Sequence, residues 1–400
     1  MGRIIESYRE AYRGLSREVW ILSVVGLVNR AGTMVLPFLT LYLCEELGYT
    51  PTEAGKVLAV YGVGSIAGTA LGGRLVERVG PRAVMVSSLV LTGFVLFLLG
   101  AAESRPAILA TVSLFALVAE LFRPACNTAI SECVPGHERV RAFGLYRLAI
   151  NAGFTLGPAI GGVLAGIDYG LLFWVDGVTC LCAGFILLGS YSDPRTARAS
   201  EHAEEGAASA KSPWRDRLFV AVFVLVFLQA LMFFQVMSTL SLYLKEQRGQ
   251  SEAAIGLLFA VNTAVIVVFE MLLVRRIQGR SPLRVTALSC IFLGIGFGIL
   301  PWTYGFAALA GTILIWTMGE MLSAPMIMAW FANRAVDGNR GRYMGAVGIC
   351  FASSSVAAPL IGTWMYQSLG PDTPWLACLV LGPVLFVALE LAARSERAGH

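Results

Sequence analysis

The chain has 400 residues, 56% of them apolar and only 14% charged, well below the roughly 25% charged of soluble domains. Its net charge of +4 is scattered over short polar segments, which argues against a nucleic-acid-binding surface. The eight cysteines include no C-x-x-C pair, and His137, His202 and His400 all fall in polar segments, so no metal and no cofactor are expected.

The apolar residues fall in runs of the ~20 residues that cross a bilayer as a helix. Twelve spans are predicted, at 20–43, 54–74, 83–102, 107–131, 142–166, 171–190, 218–244, 253–274, 283–301, 306–330, 343–366 and 375–393. The first run is long and lacks a small-residue cleavage site, so it reads as a retained helix and not a signal peptide. It carries Asn29-Arg30, with Thr33, Pro37 and Thr40 on roughly the same face. Between the second and third spans lies Gly72-Gly73-Arg74-Leu75-Val76-Glu77-Arg78-Val79-Gly80-Pro81-Arg82. So short a link makes an antiparallel hairpin: Gly72 and Gly73 permit close approach of backbones, Gly80-Pro81 turns the chain, and Glu77, Arg78 and Arg82 can dock on helix ends.

The fourth span places Glu120, Arg123, Asn127 and Ser131 on one helical stripe, with Arg123 one turn from Glu120 and able to neutralise it. Arg147, Asn151 and Thr155 form a second stripe on the fifth span. That span continues as Gly153-Phe-Thr-Leu-Gly157-Pro158-Ala-Ile-Gly161-Gly162, a flat glycine face with a proline that frees a backbone carbonyl and permits a bend. Asp176 lies in the sixth span, Glu270 near the inner end of the eighth, and Glu320 in the middle of the tenth.

Residues 193–217 form a polar linker, dividing the chain into an N-terminal six-span bundle (1–192) and a C-terminal one (218–400). The halves match at a constant offset of 201 residues: Leu39-Thr-Leu-Tyr-Leu43 with Leu240-Ser-Leu-Tyr-Leu244, Gly48 with Gly249, Gly144 with Gly345, Pro158 with Pro359, and Gly161 with Gly362. Repeated six-span halves are a transporter architecture with substrate bound between them near the midplane. Most Lys and Arg lie in the tails and alternate loops of one side, against only Lys56, Arg105, Lys245 and Arg248 on the other. The positive-inside rule therefore places both termini in the cytoplasm.

An ionised side chain at mid-helix costs about 2.5–3.5 kcal/mol on insertion scales, so these groups should face protein or a wet cavity. All three intramembrane arginines (Arg30, Arg123, Arg147) belong to the first half, whereas the second half has only Glu270 and Glu320. Glu320 is therefore expected either to pair with Arg30 across the cavity or to be protonated, and a switch between the two would carry protons. Glu120, Arg123 and Asp176 are further proton-coupling candidates. Asn29, Thr33, Asn127, Arg147, Asn151, Gln229, Phe233, Asn262 and Met321 are candidates for lining the substrate cavity. The Met- and Phe-rich seventh and tenth spans would offer an adaptable apolar surface.

The 72–82 link resembles the loop between helices 2 and 3 of the major facilitator superfamily, with Glu77 in place of the usual Asp and Pro81 at one basic position. The Gly153–Gly162 stretch is similar to the Gly-x-x-x-Gly-Pro-x-x-Gly-Gly element of exporters in that superfamily. With the linker and the 6+6 repeat, the whole chain resembles its twelve-span drug:proton antiporters. The resemblance implies an all-α membrane protein of two pseudo-symmetric bundles, with alternating access, a proton gradient as energy source and expulsion of amphipathic compounds. The apolar spans predict a multi-pass protein of the cell membrane, the arginine-over-lysine bias points to a bacterial inner membrane, and the chain is expected to work as a monomer and not as an enzyme. Arg30, Glu320 and Tyr146-x-x-x-Ile150-Asn151-x-Gly153 also resemble proton-coupled peptide symporters, but those symporters' double-glutamate motif in the first helix is absent. Uptake of a peptide or other polar solute is thus the runner-up, followed by a non-transporting receptor on the same fold. A primary ATP pump is not expected, because Lys56, Lys211 and Lys245 lie in no phosphate-binding loop.

Overall fold

A computed structural model describes residues 14–135, 138–191, 213–277, 279–334 and 340–398. His137, His202, His400 and residues 193–212 of the linker lie outside the described residues. Among those described there is no strand, and fifteen α-helices run in order. In the first half these are α1 Arg17–Ala31, α2 Val35–Glu45, α3 Pro51–Val79, α4 Pro81–Gly100, α5 Arg105–Ala119, α6 Phe122–Cys133, α7 Arg139–Ala165 and α8 Gly170–Ser190. In the second half follow α9 Arg217–Phe233, α10 Thr239–Glu246, α11 Glu252–Ile277, α12 Pro282–Gly298, α13 Phe306–Arg334, α14 Arg340–Ser368 and α15 Thr373–Ala398. They supply twelve segments long and apolar enough to cross a membrane, each overlapping one of the twelve spans read from the sequence.

Three of the spans are broken where continuous helices were expected. The first divides into α1 and α2, the fourth into α5 and α6, and the seventh into α9 and α10. Proline explains two of the breaks. Pro37 has no N–H to give the Thr33 carbonyl, and Pro124 has none for Glu120, so each helix loses a rung four residues before its proline. The third break has no proline. There a 3₁₀ turn, Phe234–Met237, leads to Ser238 at φ −136° and ψ −63°. Polar side chains take up the freed backbone: Gln235 Nε2 donates to the Leu231 and Ala358 carbonyls at 3.2 Å, and Thr239 Oγ1 donates to Gln235 Oε1 at 2.7 Å.

By contact the chain forms two compact units, Met1–Leu36 with Val63–Glu201, and Pro37–Gly62 with His202–His400. The first unit's core gathers Val19, Leu22, Val25, Met85, Leu89, Phe122, Ala129 and Leu187. In the second, glycines let α12 lie close to its neighbours. A Cβ on Gly294 would stand 2.9 Å from Gly382, and one on Gly296 would meet Trp316 backbone at 2.6 Å. The ring of Phe297 stacks on Trp316 at 5.2 Å between centroids. The segment 37–62 belongs to the second unit, where Gly55 abuts Pro359 and Thr363 and the Thr52 N–H donates to Gln367 at 3.0 Å.

All eight cysteines are free; five are buried, Cys44 and Cys133 are half-buried and Cys182 is exposed. At the 72–82 link, close approach is confined to Gly72, whose Cβ would press on Pro124 and Leu121, while one on Gly73 would meet nothing within 4 Å. Gly80, at φ 85°, turns the chain into Pro81, the first residue of α4. Arg82 Nη2 donates to the Leu188 carbonyl at 2.7 Å, in the last turn of α8, the helix end at which the macrodipole favours a cation. Glu77 and Arg78 are exposed.

Candidate functional site

The polar groups predicted from the sequence gather at the helix breaks and on facing helices within each unit. In the first unit, α1 ends at Ala31 and the chain passes through Gly32, Thr33 and Met34 before α2 begins. The glycine face of α7 packs on this end: a Cβ on Gly153 would lie 2.7 Å from Arg30 Cβ and from the Leu27 carbonyl, and one on Gly157 would lie 3.0 Å from the Arg30 carbonyl. Phe154, between those glycines, presents its ring to the Arg30 guanidinium at 5.1 Å. The stretch Gly153–Pro158 thus seats Arg30. Pro158 lies inside α7, which continues unbroken to Ala165 through Gly161 and Gly162.

Asp176 of α8 reaches the same break. It is 3% exposed, and its Oδ2 accepts the Met34 N–H at 3.3 Å. Cys180 Sγ lies 3.8 Å from both Asp176 Oδ1 and Asn29 Oδ1, linking the two polar groups. Arg30 lies within electrostatic reach of the Asp176 carboxylate. Thr33, half-buried, returns its hydroxyl to the Asn29 carbonyl at 3.2 Å.

On the fourth span the expected Glu120–Arg123 pair is formed, with Arg123 Nη2 3.3 Å from Glu120 Oε2. The partners differ in exposure, 56% for the Arg123 side chain and 13% for Glu120. Glu120 stands at the α5–α6 break, as its cap residue. Asn127 and Arg147 are exposed and Asn151 is half-buried, so these stripes do point away from their helices' packed sides.

In the second unit Glu320 lies half-buried on α13, and Asn262 of α11 meets it. Asn262 Nδ2 donates to Glu320 Oε2 and to Thr317 Oγ1, both at 2.9 Å. Thr317 spends its own proton on the Ile313 carbonyl at 2.6 Å, so its oxygen is left to accept from Asn262. The chain of donors therefore has one direction, and an Asn262 flipped about its amide would set oxygen against oxygen. Thr317, one turn before Glu320, was missed by the sequence reading; its i, i+3 spacing from Glu320 was the available signal.

Two cavity candidates sit in packing instead. Gln229 is 2% exposed and donates to Ser289 Oγ at 2.8 Å, and Met321 is 1% exposed. Phe233 is half-buried, edge-on to Trp316 at 6.4 Å. The methionines divide likewise: Met232 and Met326 are buried, while Met237 and Met328 are exposed. Among the described residues no group of three or more His, Cys, Asp or Glu could hold a metal ion.

Known proteins share this fold. The family model of the Major Facilitator Superfamily matches residues 21–359. A Na(+), Li(+), K(+)/H(+) antiporter of Planococcus maritimus is 24% identical over 83% of this chain and 85% of its own. The quinolone resistance protein NorA of Staphylococcus aureus (strain MSSA476) is 22% identical over 84% and 86%. Among solved structures, a POT family transporter in complex with 5-aminolevulinic acid superposes with a TM-score of 0.80 at 14% identity, over 96% of this chain and 97% of that one. The nucleoside transporter NupG gives 0.78 at 12% identity, over 94% and 99%. The protein is an all-α, multi-pass membrane transporter, not an enzyme, and it belongs to the major facilitator superfamily.

Proposed function

We propose that the protein is a proton-coupled antiporter that expels small amphipathic compounds by alternating access between two six-span bundles, 1–192 and 218–400, joined by 193–217. The observation that carries this reading is the bond from Asn262 to Glu320: a carboxylate midway along a spanning helix, held by an amide that donates to it. A group so placed costs about 2.5–3.5 kcal/mol to insert when ionised, and proton carriage is a reason to keep it. Glu320 takes up and releases the proton, and Arg30 serves as its countercharge when the bundles rock, with Glu120 and Arg123 a second pair. Asn29, Thr33, Asn127, Arg147, Asn151 and Phe233 line the substrate path. Both termini are cytoplasmic, the energy comes from the proton gradient without a cofactor, and the monomer in the lipid bilayer is the working unit.

The sequence relatives support export: one is named for quinolone resistance and another for cation/proton antiport. The test is proton flux in proteoliposomes under an imposed pH gradient, with ethidium, tetraphenylphosphonium, dialanine, sodium and potassium offered in turn. The proposal expects a lipophilic cation to drive proton movement in the opposite direction. Proton flux evoked only by sodium or potassium, counterflow of dialanine alone, or binding of a cation without any flux would each overturn it.

A further inference from the structure

The break in the first span leaves α2 with an N-terminus whose first N–H groups have no partner within the helix and need acceptors from elsewhere. Its first donors lie at Met34 and Val35. The Met34 N–H donates to the Gly32 carbonyl at 2.7 Å and is shared with Asp176 Oδ2 at 3.3 Å. Asp176 is 142 residues away in sequence and 3% exposed, so its position is fixed by the fold and not by the turn. The Cys180 thiol lies 3.8 Å from Oδ1, which orients the carboxylate further. Gly32 completes the joint: a Cβ there would overlap the Thr179 hydroxyl and stand 3.0 Å from Asp176 Oδ1.

The second half breaks its corresponding span differently. Gln235 and Thr239 on that span satisfy the turn with neutral groups, and Ala377 occupies the position 201 residues after Asp176. The glycine stripes repeat the same relation, Gly157 against the first break and Gly362 against Gln235 and Thr239 at the other. A carboxylate is therefore a feature that the first half adds. The first break also falls next to the division between the two compact units, with α1 in one and Pro37 onward in the other.

We propose that Asp176 is a positioning residue for transport: its carboxylate caps the N-terminus of α2 from the neighbouring helix and keeps the first span jointed at Gly32–Met34, so that Asn29 and Arg30 are held in place. The role needs an acceptor oxygen at that spot, not a proton carrier. It rests on the transport reading only for its consequence, and the joint itself can be measured without transport.

The test is hydrogen–deuterium exchange of the peptide covering 27–36, in nanodiscs, on the full chain. In Asp176→Ala the Met34 amide exchanges at least tenfold faster than in the wild type, with the rest of the first unit unchanged. In Asp176→Asn, which keeps an acceptor oxygen, protection stays within a few-fold of wild type. In ethidium transport, Asp176→Ala lowers turnover with little change in KM, and Asp176→Asn restores it. Equal protection in the wild type and Asp176→Ala would overturn the cap. Loss of protection in Asp176→Asn as large as in Asp176→Ala would show that charge, not the acceptor, holds the joint, and would overturn it too. Should Asp176→Ala fail to fold, the Asp176→Asn result decides alone. If no variant and no wild type moves ethidium, the function assigned above fails while the exchange result stands.

Discussion

Replacing Asp216 by alanine strips the start of α9 of its cap and of its tie to α13 together. Asp216 Oδ1 accepts the N–H groups of Leu218 and Phe219 at 3.1 and 3.2 Å, and Arg334 binds both carboxylate oxygens, Nε to Oδ2 at 2.7 Å and Nη2 to Oδ1 at 3.1 Å. Loss of an N-cap costs about 1 kcal/mol. The ion pair is about a quarter exposed on each side, so solvent screens it. Its two-point geometry puts it near the top of the ~0.2–1 kcal/mol range of surface pairs. The sum is about 2 kcal/mol, a thirtyfold shift in the unfolding equilibrium. SDS-driven unfolding in mixed micelles measures it, with fluorescence of Trp330 as reporter, since the Arg334 guanidinium lies 5.7 Å from that ring. Asp216→Asn keeps the cap and loses the charge, and so forfeits about half.

The pH dependence has a definite sign. Burial pushes the Asp216 carboxyl up, but the Arg334 hydrogen bond and charge, with the Phe219 and Leu218 amides, outweigh it and hold the carboxyl below its ordinary range. A carboxyl lowered in the folded state stabilises above its unfolded value, about 3.9, and loses that contribution as pH falls through the folded value. The gap between wild type and Asp216→Ala should thus be constant from pH 8 to 5 and narrow only below about pH 4. An unchanged unfolding midpoint in the variant, or a gap just as wide at pH 3, refutes the reasoning.

Asn262→Ala removes the donor to Glu320. A hydrogen bond to a charged group is worth about 1.5–3 kcal/mol, so proton-driven ethidium efflux should fall roughly ten- to hundredfold while gradient-free counterflow persists; equal loss of both would mark Asn262 as merely structural. Arg248→Met should destabilise the second unit by about 2–3 kcal/mol, since it leaves the Leu300 and Pro301 carbonyls without their donor. Arg248, 7% exposed, donates to the Leu300 and Pro301 carbonyls and the Tyr243 hydroxyl and lies over the rings of Tyr243 and Tyr304 at 4.8 and 4.7 Å. Arg248→Lys should not rescue it in the same SDS titration, because an ammonium cannot reproduce the fork of donors.

The spans were legible because an apolar run of spanning length has few other uses, and the Glu120–Arg123 pair because three residues bring side chains onto one helix face. The glycine face of α7 was legible as close packing, though not that its partner would be the last turn of α1. The breaks were half-legible. Pro37 and Pro124 each cancel a rung four residues back, which sequence alone could have flagged, whereas the seventh span breaks at Ser238 with no proline and gives no such sign. What periodicity leaves out is which helices are neighbours. That Asp176 faces the Met34 amide and Asn262 faces Glu320 depends on contacts 142 and 58 residues apart in the chain. Gln229 and Met321 were misplaced for the same reason, since a polar or soft side chain in a span looks alike whether it lines a cavity or meets a neighbour such as Ser289.

The most direct measurement is ethidium movement by Glu320→Gln in proteoliposomes, with and without a pH gradient. Glutamine keeps the length of the side chain and an oxygen for Asn262 Nδ2, but it carries no proton. Accumulation driven by the gradient should vanish while exchange of ethidium for ethidium without a gradient continues. Full gradient-driven accumulation in that variant would contradict the assignment of Glu320 as proton carrier.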